Sequence, residues 1–145
     1  MFRLENKVVV LFGGNGYLGR EFCIILLEYG ATLYNCDIML DESEFTTGLK
    51  EKYGQKYQPL NVDATQKEEI IKAKECILEK ESRVDVLINS TTMKGDDFYL
   101  PFDEVSLEGW NIGMLGNLTI PFLTAQTFIP VMVKQNSGSV INISS

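Results

Sequence analysis

Three glycines near the N-terminus have the spacing of a phosphate-binding loop. Gly13, Gly16 and Gly19 follow the apolar run Val8–Phe12, and an amphipathic segment begins directly after them. This order predicts a strand, a tight turn and a helix, in which the glycines let the backbone approach a ligand closely. The free N–H groups and the positive dipole end of such a helix favour an anion, most often a pyrophosphate.

An acidic residue stands where a dinucleotide site needs one. Asp37 ends the next apolar segment, close to the spacing of about 20 residues from the last glycine that is expected for a ribose-binding acid. Its carboxylate would accept hydrogen bonds from the ribose hydroxyls and repel a 2′-phosphate, so NAD is favoured over NADP. No Arg or Lys in the loop or directly after Asp37 offsets that repulsion. The alternative is an ordinary βα turn followed by a strand-end Asp.

The composition argues against several classes of function. The 145 residues carry a net charge of −7, which disfavours nucleic acid or an anionic membrane as a partner. Histidine is absent, which removes imidazole bases, the Ser-His-Asp and Cys-His systems and most zinc sites, so no metal is expected. The 3 cysteines form no CxxC pair and no signal peptide is recognisable, so we expect reduced thiols and a cytoplasmic location.

Apolar runs alternate with helical patterns along the chain. The predicted strands are Val8–Phe12, Ala31–Asp37, Tyr57–Val62, Val84–Asn89 and Val140–Ile143. The predicted helices run from the glycine loop to Gly30, from 41–44 to near Gly54, from Thr65 onwards, and from Ser106 to about Lys134. This alternation predicts one domain, residues 1–145, with a doubly wound parallel sheet between two helical layers.

Two of these helices carry further signals. Thr65 and Glu68 have the spacing of a capping box, which places a helix start at Thr65. Asn117 and Pro121 predict an irregularity within the long helix, because proline cannot complete the backbone hydrogen-bond ladder. The apolar stretch 112–133 includes polar side chains and two prolines, so it is interpreted as a buried core helix and not as a membrane span.

Several polar or glycine residues stand at or just after the predicted strands. Because the carboxyl ends of parallel strands meet at one edge, these residues should converge there, where ligands of such sheets bind. They are Gly13, Asp37, Asp63, Asn89 and Ser145. Each also has a simpler interpretation: Asp63 could be a helix N-terminal acid, and Asn89 could be a turn residue.

The sequence resembles the short-chain dehydrogenase/reductase family over essentially its whole length. The segments that carry the resemblance are Gly13–Gly19, Asp37, Asp63–Thr65, Asn89–Thr92, Gly116–Leu118 and Gly138–Ser145. The resemblance implies a Rossmann-type fold. It also implies an NAD-dependent oxidoreductase, in which a hydride passes between nicotinamide and a carbonyl or alcohol group of a small molecule.

The resemblance assigns roles to individual residues. Ser145 matches the catalytic serine that hydrogen-bonds the substrate oxygen, and Asn117 matches the active-site asparagine of a water-mediated proton relay. A structural hydrogen bond is the simpler role for Asn117. The family also suggests that the helix 110–134 joins identical subunits. The cofactor-binding candidates are Gly13, Asn15, Gly16, Tyr17, Leu18, Gly19, Asp37, Asp63, Ala64, Asn89, Ser90 and Thr91.

Three features depart from the family pattern. Phe12 replaces the usual threonine, and residues 90–92 replace Asn-Ala-Gly by Ser-Thr-Thr, which adds side chains beside the cofactor. Family members also continue past the serine into a Tyr-x-x-x-Lys helix, which these 145 residues do not include. Two alternatives therefore stay open. One is a non-catalytic dinucleotide-binding or regulatory module, and the other is a sugar-nucleotide epimerase or dehydratase, which the glycine spacing also resembles.

Overall fold

Five short strands form a parallel sheet in the computed structural model, which describes residues 3–38 and 43–144. The strands are β1 (Val8–Phe12), β2 (Thr32–Asp37), β3 (Tyr57–Asn61), β4 (Val86–Asn89) and β5 (Ser139–Asn142). They lie in the order β3-β2-β1-β4-β5, which confirms the doubly wound sheet. Every residue of β1 is buried, because helices cover both faces of this central strand.

The helices form two layers, one on each face of the sheet. Val9 and Leu11 of β1 pack with the first layer, while Val8, Val10 and Phe12 pack with the second, as the alternation of a strand requires. The first layer contains α1 (Tyr17–Glu28) and α2 (Glu44–Tyr53). The second contains α3 (Lys67–Glu81) and α5 (Ile120–Lys134), and α4 (Leu107–Met114) leads into α5.

The strand order reverses between β1 and β4. One connection leaves β1 toward β2, and the chain later returns from β3 to add β4 on the other side of β1. Phe12, the last residue of β1, is level with Cys36 of β2 and Asn89 of β4. The loops after these three strands therefore meet at one edge, which is where open α/β sheets bind ligands.

Most predicted helix ends are confirmed. The Ser43 hydroxyl accepts a hydrogen bond from the Thr46 amide at 3.3 Å, and α2 begins at Glu44, within the predicted starting segment 41–44. Residues 41 and 42 of that segment lie outside the described part of the chain. The Ser106 hydroxyl accepts from the Gly109 amide at 3.0 Å and starts α4. Gly30 follows α1 with φ of +93°, a conformation that favours glycine.

The predicted capping box at Thr65 is wrong. α3 begins at Lys67, and its N-cap residue, Gln66, makes no side-chain capping bond. The reason is local, because the Asp63 carboxylate accepts hydrogen bonds from both the amide and the hydroxyl of Thr65. This Asx turn includes Thr65 itself, so the N-cap position falls on Gln66, one residue later than predicted.

The long helix is irregular where the sequence predicts, but it is less buried than expected. A π turn, Leu115–Thr119, joins α4 to α5 immediately before Pro121, which has no N–H for the regular ladder. Leu107–Lys134 is long and apolar enough to cross a membrane, yet this is weak support for a span because core helices pass the same test. Only 22% of its most apolar 18-residue window is buried, so the expected core helix is buried along one side only. One side packs on the sheet and on α3, while side chains such as Phe122 and Val133 are exposed.

An ion-pair cluster anchors the opposite edge of the sheet. The Asp85 carboxylate lies before β4 and accepts hydrogen bonds from the Val8 amide at 2.9 Å and from Arg83 Nε at 2.9 Å, with Lys7 nearby. Burial disfavours the charged form of Asp85, but these donors outweigh burial and keep its pKa below the usual value. The carboxylate thus ties the starts of β1 and β4 together, far from the edge at which the glycine loop lies.

Candidate functional site

The glycine loop is shaped by close contacts that leave no room for side chains. Gly13 has φ of +86°, and a Cβ there would lie 2.7 Å from the Ser90 carbonyl oxygen. A Cβ on Gly19 would overlap the Gly13 carbonyl oxygen and lie 2.7 Å from Gly14 Cα. These contacts draw α1 against the loop and bring the loop against the chain that leaves β4.

The start of α1 can accept an anion. Its N-cap residue is Gly16, which has no side chain to cap the helix, and the first turn carries no acidic residue. A Cβ on Gly16 would meet only the Gly13 carbonyl oxygen, at 3.4 Å, so the space over the helix end is open. The N–H groups of this turn and the helix dipole therefore point toward a site that suits a phosphate group.

Asp37 is bound directly to the glycine loop. Its Oδ2 accepts a hydrogen bond from the Asn15 amide at 2.9 Å. The Gly13 amide in turn donates to the carbonyl oxygen of Cys36, at 3.0 Å, which fixes the loop against the end of β2. The acid at the end of β2 and the turn after β1 thus form one unit, and a ligand that binds one also lies beside the other.

A cavity of about 380 Å³ lies over these residues at the carboxyl edge of the sheet. We call it the edge cavity, and its volume is in the range of small-molecule sites. Eight of the residues predicted for the site line it: Gly13, Asn15, Gly16, Asp37, Asp63, Ala64, Ser90 and Thr91.

The wall formed after β3 is a compact polar turn. Besides its bonds to Thr65, Asp63 donates its own amide to Glu69 Oε2 at 2.7 Å. Its carboxylate therefore has a structural role at the start of α3, as the simpler interpretation holds, and it lines the edge cavity as well. Val62 and Ala64 add apolar surface beside it. The combination can accept a flat heterocycle with polar edges.

Asn89 is placed away from the edge cavity. Its side chain is 1% exposed, accepts a hydrogen bond from the Thr124 hydroxyl at 2.8 Å and donates to Asn142 Oδ1 at 2.8 Å. These bonds join β4, β5 and α5, which favours a structural role over the predicted cofactor contact. The residues after it form the cavity wall, where the Thr91 hydroxyl donates to the Gly116 carbonyl at 3.1 Å.

Other predicted site residues do not line the edge cavity. The side chains of Tyr17 and Leu18, at the start of α1, are exposed, and Gly19 is buried beneath the loop. Asn117 lies exposed in the π turn, where its side chain donates to the Gly113 carbonyl oxygen at 2.9 Å. Ser145 lies outside the described residues. The roles predicted for Tyr17, Leu18, Asn117 and Ser145 stay predictions.

A cation that was not predicted lies at the edge cavity. Arg20 follows Gly19 directly and lines the cavity. Its Nε donates to the Asn15 carbonyl at 3.1 Å, and its guanidinium lies 5.0 Å from the centre of the Phe45 ring. The prediction that no Arg or Lys offsets Asp37 considered only the glycine loop and the residues directly after Asp37. Arg20 lies just beyond that loop, and the first turn of α1 places it at the same edge.

The remaining lining residues were not among the predicted site residues. They include Cys36, whose thiol is fully buried, and burial raises its pKa so that it stays protonated. Thr65 and Thr92 belong to segments that carry the family resemblance. Nothing in the local sequence marks the others, which reach the cavity through the geometry of the sheet: Cys36, Ile38, Ser43, Val62, Met93 and Ile120.

Comparison with known proteins decides the family. A family model described as short chain dehydrogenase matches residues 7–145. The chain belongs to the short-chain dehydrogenase family. It is 29% identical over 143 residues to a 3-oxoacyl-[acyl-carrier-protein] reductase of Thermotoga maritima, and 29% identical over 148 residues to a cyclopentanol dehydrogenase of a Comamonas species. A short-chain dehydrogenase structure from Streptomyces avermitilis superimposes with a TM-score of 0.82 at 26% identity.

The matched region is part of the length of these short-chain dehydrogenases. The alignments cover 99% and 100% of this chain but 57% of each of the two relatives, and 96% of this chain but 49% of the Streptomyces structure. The chain therefore spans about half the length of the proteins that it matches. Its Rossmann-type sheet and glycine loop correspond to the N-terminal part of short-chain dehydrogenases.

The edge cavity fits the dinucleotide that short-chain dehydrogenases bind. The glycine contacts leave an open space over the end of α1, where a diphosphate can meet backbone N–H groups. The Asp37 carboxylate lies beside that space, and the turn after β3 offers an apolar wall. The departures at residues 90–92 do not block the cavity: they line it, and the side chain of Thr91 is turned to a backbone carbonyl.

Proposed function

We propose that this chain is the nucleotide-binding part of an NAD-dependent oxidoreductase. The hydride would pass between nicotinamide and a carbonyl or alcohol group of a small molecule. The observation that supports this most strongly is the hydrogen bond between the Asn15 amide and Asp37 at the mouth of the edge cavity. In the proposed roles the turn would bind the diphosphate and the acid would bind the adenosine ribose, and this bond keeps the two side by side.

The residues of the edge cavity would act by binding and orientation. The turn 13–16 and the first amides of α1 would hold the diphosphate, and Asp37 would accept hydrogen bonds from the adenosine ribose. Asp63 and Ala64 would contact adenine, while Ser90 and Thr91 would border the nicotinamide half. The bound dinucleotide supplies the redox chemistry, and the protein supplies its position and surroundings.

The residues that would act on substrate lie beyond the edge cavity. Ser145 would hydrogen-bond the substrate oxygen and stabilise the charge that develops there. Asn117 would hold a water molecule on the other side of the site. Its place in a π turn supports this, because such turns release backbone groups from the regular ladder and are frequent at functional sites.

The preference for NAD rests on the charge at Asp37. A 2′-phosphate on the adenosine ribose would lie against this carboxylate, which is already held in place by the loop. Arg20 is a cation that lines the edge cavity, but its Nε donates to the Asn15 carbonyl and its guanidinium lies against the Phe45 ring, so we expect the nearer charge of Asp37 to dominate. We therefore propose NAD as the cofactor, in a cytoplasmic enzyme.

The same enzyme would be a homo-oligomer. Exposed apolar side chains follow the outer side of the long helix, and a second copy of the chain is the partner expected from the family. They include Leu107, Trp110, Leu118, Phe122, Ile129 and Val133.

A fluorescence titration tests the proposed cofactor. NADH added to the chain should give a saturable change in nicotinamide emission, and NADPH should bind at least about tenfold more weakly because its phosphate meets Asp37. Reduced nicotinamide mononucleotide is the control, since it has the same fluorescent ring but lacks the adenosine half that Asp37 would hold. Tighter binding of NADPH than of NADH would contradict the cofactor preference, and binding of neither would contradict the function.

A further inference from the structure

The buried side-chain amide of Asn35 lies under the glycine loop, in a layer that is otherwise mostly apolar. Asn35 stands in the middle of β2 and is 0% exposed, among the apolar residues of the layer formed by α1 and α2. Its Nδ2 donates to Asn15 Oδ1 at 3.0 Å and to the Tyr57 hydroxyl at 3.0 Å. The side chain thus reaches from the sheet to the loop residue whose amide binds Asp37.

Stability alone does not explain this residue. The other side-chain atom of the amide, Asn35 Oδ1, is buried and has no hydrogen-bond partner. Such an atom costs about 1–3 kcal/mol, and an apolar side chain of the same shape would remove that cost. Asn35 also requires a glycine at position 14, because a Cβ there would overlap Asn35 Oδ1 and lie 2.5 Å from the carbon of its amide. The unfavourable polar group thus stands at a position where it contacts both Gly14 and Asn15.

The contacts of Asn35 continue to the other wall of the edge cavity. The Tyr57 hydroxyl, which accepts from Asn35, also contacts the Thr46 side chain in the first turn of α2. Thr46 is 3% exposed and accepts a hydrogen bond from the Ser43 hydroxyl at 3.2 Å, and Ser43 lines the cavity. A continuous polar path therefore runs below the cavity from the start of α2, through β3 and β2, to the glycine loop.

We propose that Asn35 is a positioning residue for nucleotide binding: it holds Asn15 and Gly14 so that the glycine loop is already formed before a diphosphate arrives. The inference rests on the proposed function, since it names what sets the affinity of the same cavity. Preorganisation raises affinity because the ligand does not have to order the loop on binding. Tyr57 supports Asn35 from below and has the weaker effect, because it contacts the loop only through the amide.

The test compares binding with stability in three variants. Asn35→Leu should weaken NADH binding about tenfold, which is the loss of about one well-placed hydrogen bond, and should not lower the melting temperature by more than about 2 °C. Tyr57→Phe should weaken binding about threefold. Tyr34→Phe is the matched control, because it removes the hydroxyl of another buried tyrosine, which bonds Glu81 on the opposite face of the sheet. It should leave binding unchanged.

A double-mutant cycle decides whether Asn35 acts through Asn15. Asn15→Ala and Asn35→Leu together should weaken NADH binding no more than the stronger single change, because both remove the same contact. Additive losses would overturn the proposal, and so would an unchanged NADH affinity in Asn35→Leu. Equal losses in Tyr34→Phe and Tyr57→Phe would overturn it too, since they would indicate general loosening of the sheet.

Hydrogen exchange without nucleotide separates this proposal from the proposed function. Faster exchange of the amides of residues 14–16 in Asn35→Leu than in the wild-type chain supports positioning, whether or not NADH binds. Unchanged exchange there overturns it. Wild-type protein that fails to bind NADH but shows this difference would contradict the proposed function alone.

Discussion

Gly19→Ala will abolish NADH binding and destabilise the chain, whereas Gly48→Ala will leave binding intact. Both glycines lie inside helices, α1 and α2, so the intrinsic preference for alanine is the same at both positions. At Gly19 the added methyl group would overlap the Gly13 carbonyl oxygen, and neither backbone segment can move without opening the loop. At Gly48 the added methyl group would meet no described residue within 4 Å apart from its chain neighbours and the backbone of its own helix.

Thermal unfolding and NADH titration measure both effects. Gly19→Ala should cost about 1–3 kcal/mol of unfolding free energy, as overpacked sites do, and should reduce NADH affinity at least about a hundredfold. Gly48→Ala should raise stability by about 0.5–1 kcal/mol. A Gly19→Ala protein that binds NADH like the wild type would show that the contact between α1 and the loop does not form the site.

Asp37→Asn will shift the cofactor preference toward NADPH. The substitution keeps an oxygen that can accept from the Asn15 amide, so the loop contact can survive while the charge is lost. Like charges near a protein surface repel by a few kcal/mol, so the ratio of NADPH to NADH affinity should rise at least about tenfold. Arg20, already at the edge cavity, would then be the nearest cation identified for the phosphate among the lining residues.

Titrations of two further variants isolate the cause of that shift. Asp37→Ala removes the loop contact as well as the charge, so it should weaken both dinucleotides more than Asp37→Asn does. Asp103→Asn makes the same change in net charge in an exposed turn that does not line the edge cavity, and should leave the ratio unchanged. An unchanged ratio in Asp37→Asn would mean that Asp37 does not face the adenosine ribose.

The sheet and its binding edge were predictable because they follow from short-range patterns. The β-branched run of β1, the glycines after it and Asp37 after β2 each fix a local structure, and parallel strands bring these ends together. The Ser43 and Ser106 caps were also predictable, since a cap depends on a few consecutive residues. These are the features in which local preference and the final fold agree.

The sequence was a weaker guide where a distant or competing partner decides. Thr65 has capping spacing, but the Asp63 carboxylate binds both its amide and its hydroxyl in an Asx turn. The cofactor contact of Asn89 stays a prediction, and its amide is bonded to Thr124 and Asn142, from elements that a local pattern does not relate to it. Asn35 shows the reverse case: a polar residue within a strand gave no signal, and its contact with Asn15 exists only in the folded sheet.

The long helix shows both outcomes within one element. Pro121 and Asn117 mark the irregularity, because a missing N–H is a local property. Its burial was not predictable, since an apolar helix looks the same whether its second side meets a core or another molecule. The described structure leaves Leu118 and Phe122 exposed on that side.

A crystal of this chain soaked with NADH tests the central claim most directly. The account predicts density for the diphosphate over the turn 13–16, within hydrogen-bond distance of the first amides of α1. It also predicts the adenosine ribose hydroxyls on the Asp37 carboxylate. An empty edge cavity at saturating NADH, or a nucleotide bound elsewhere on the protein, would contradict the account.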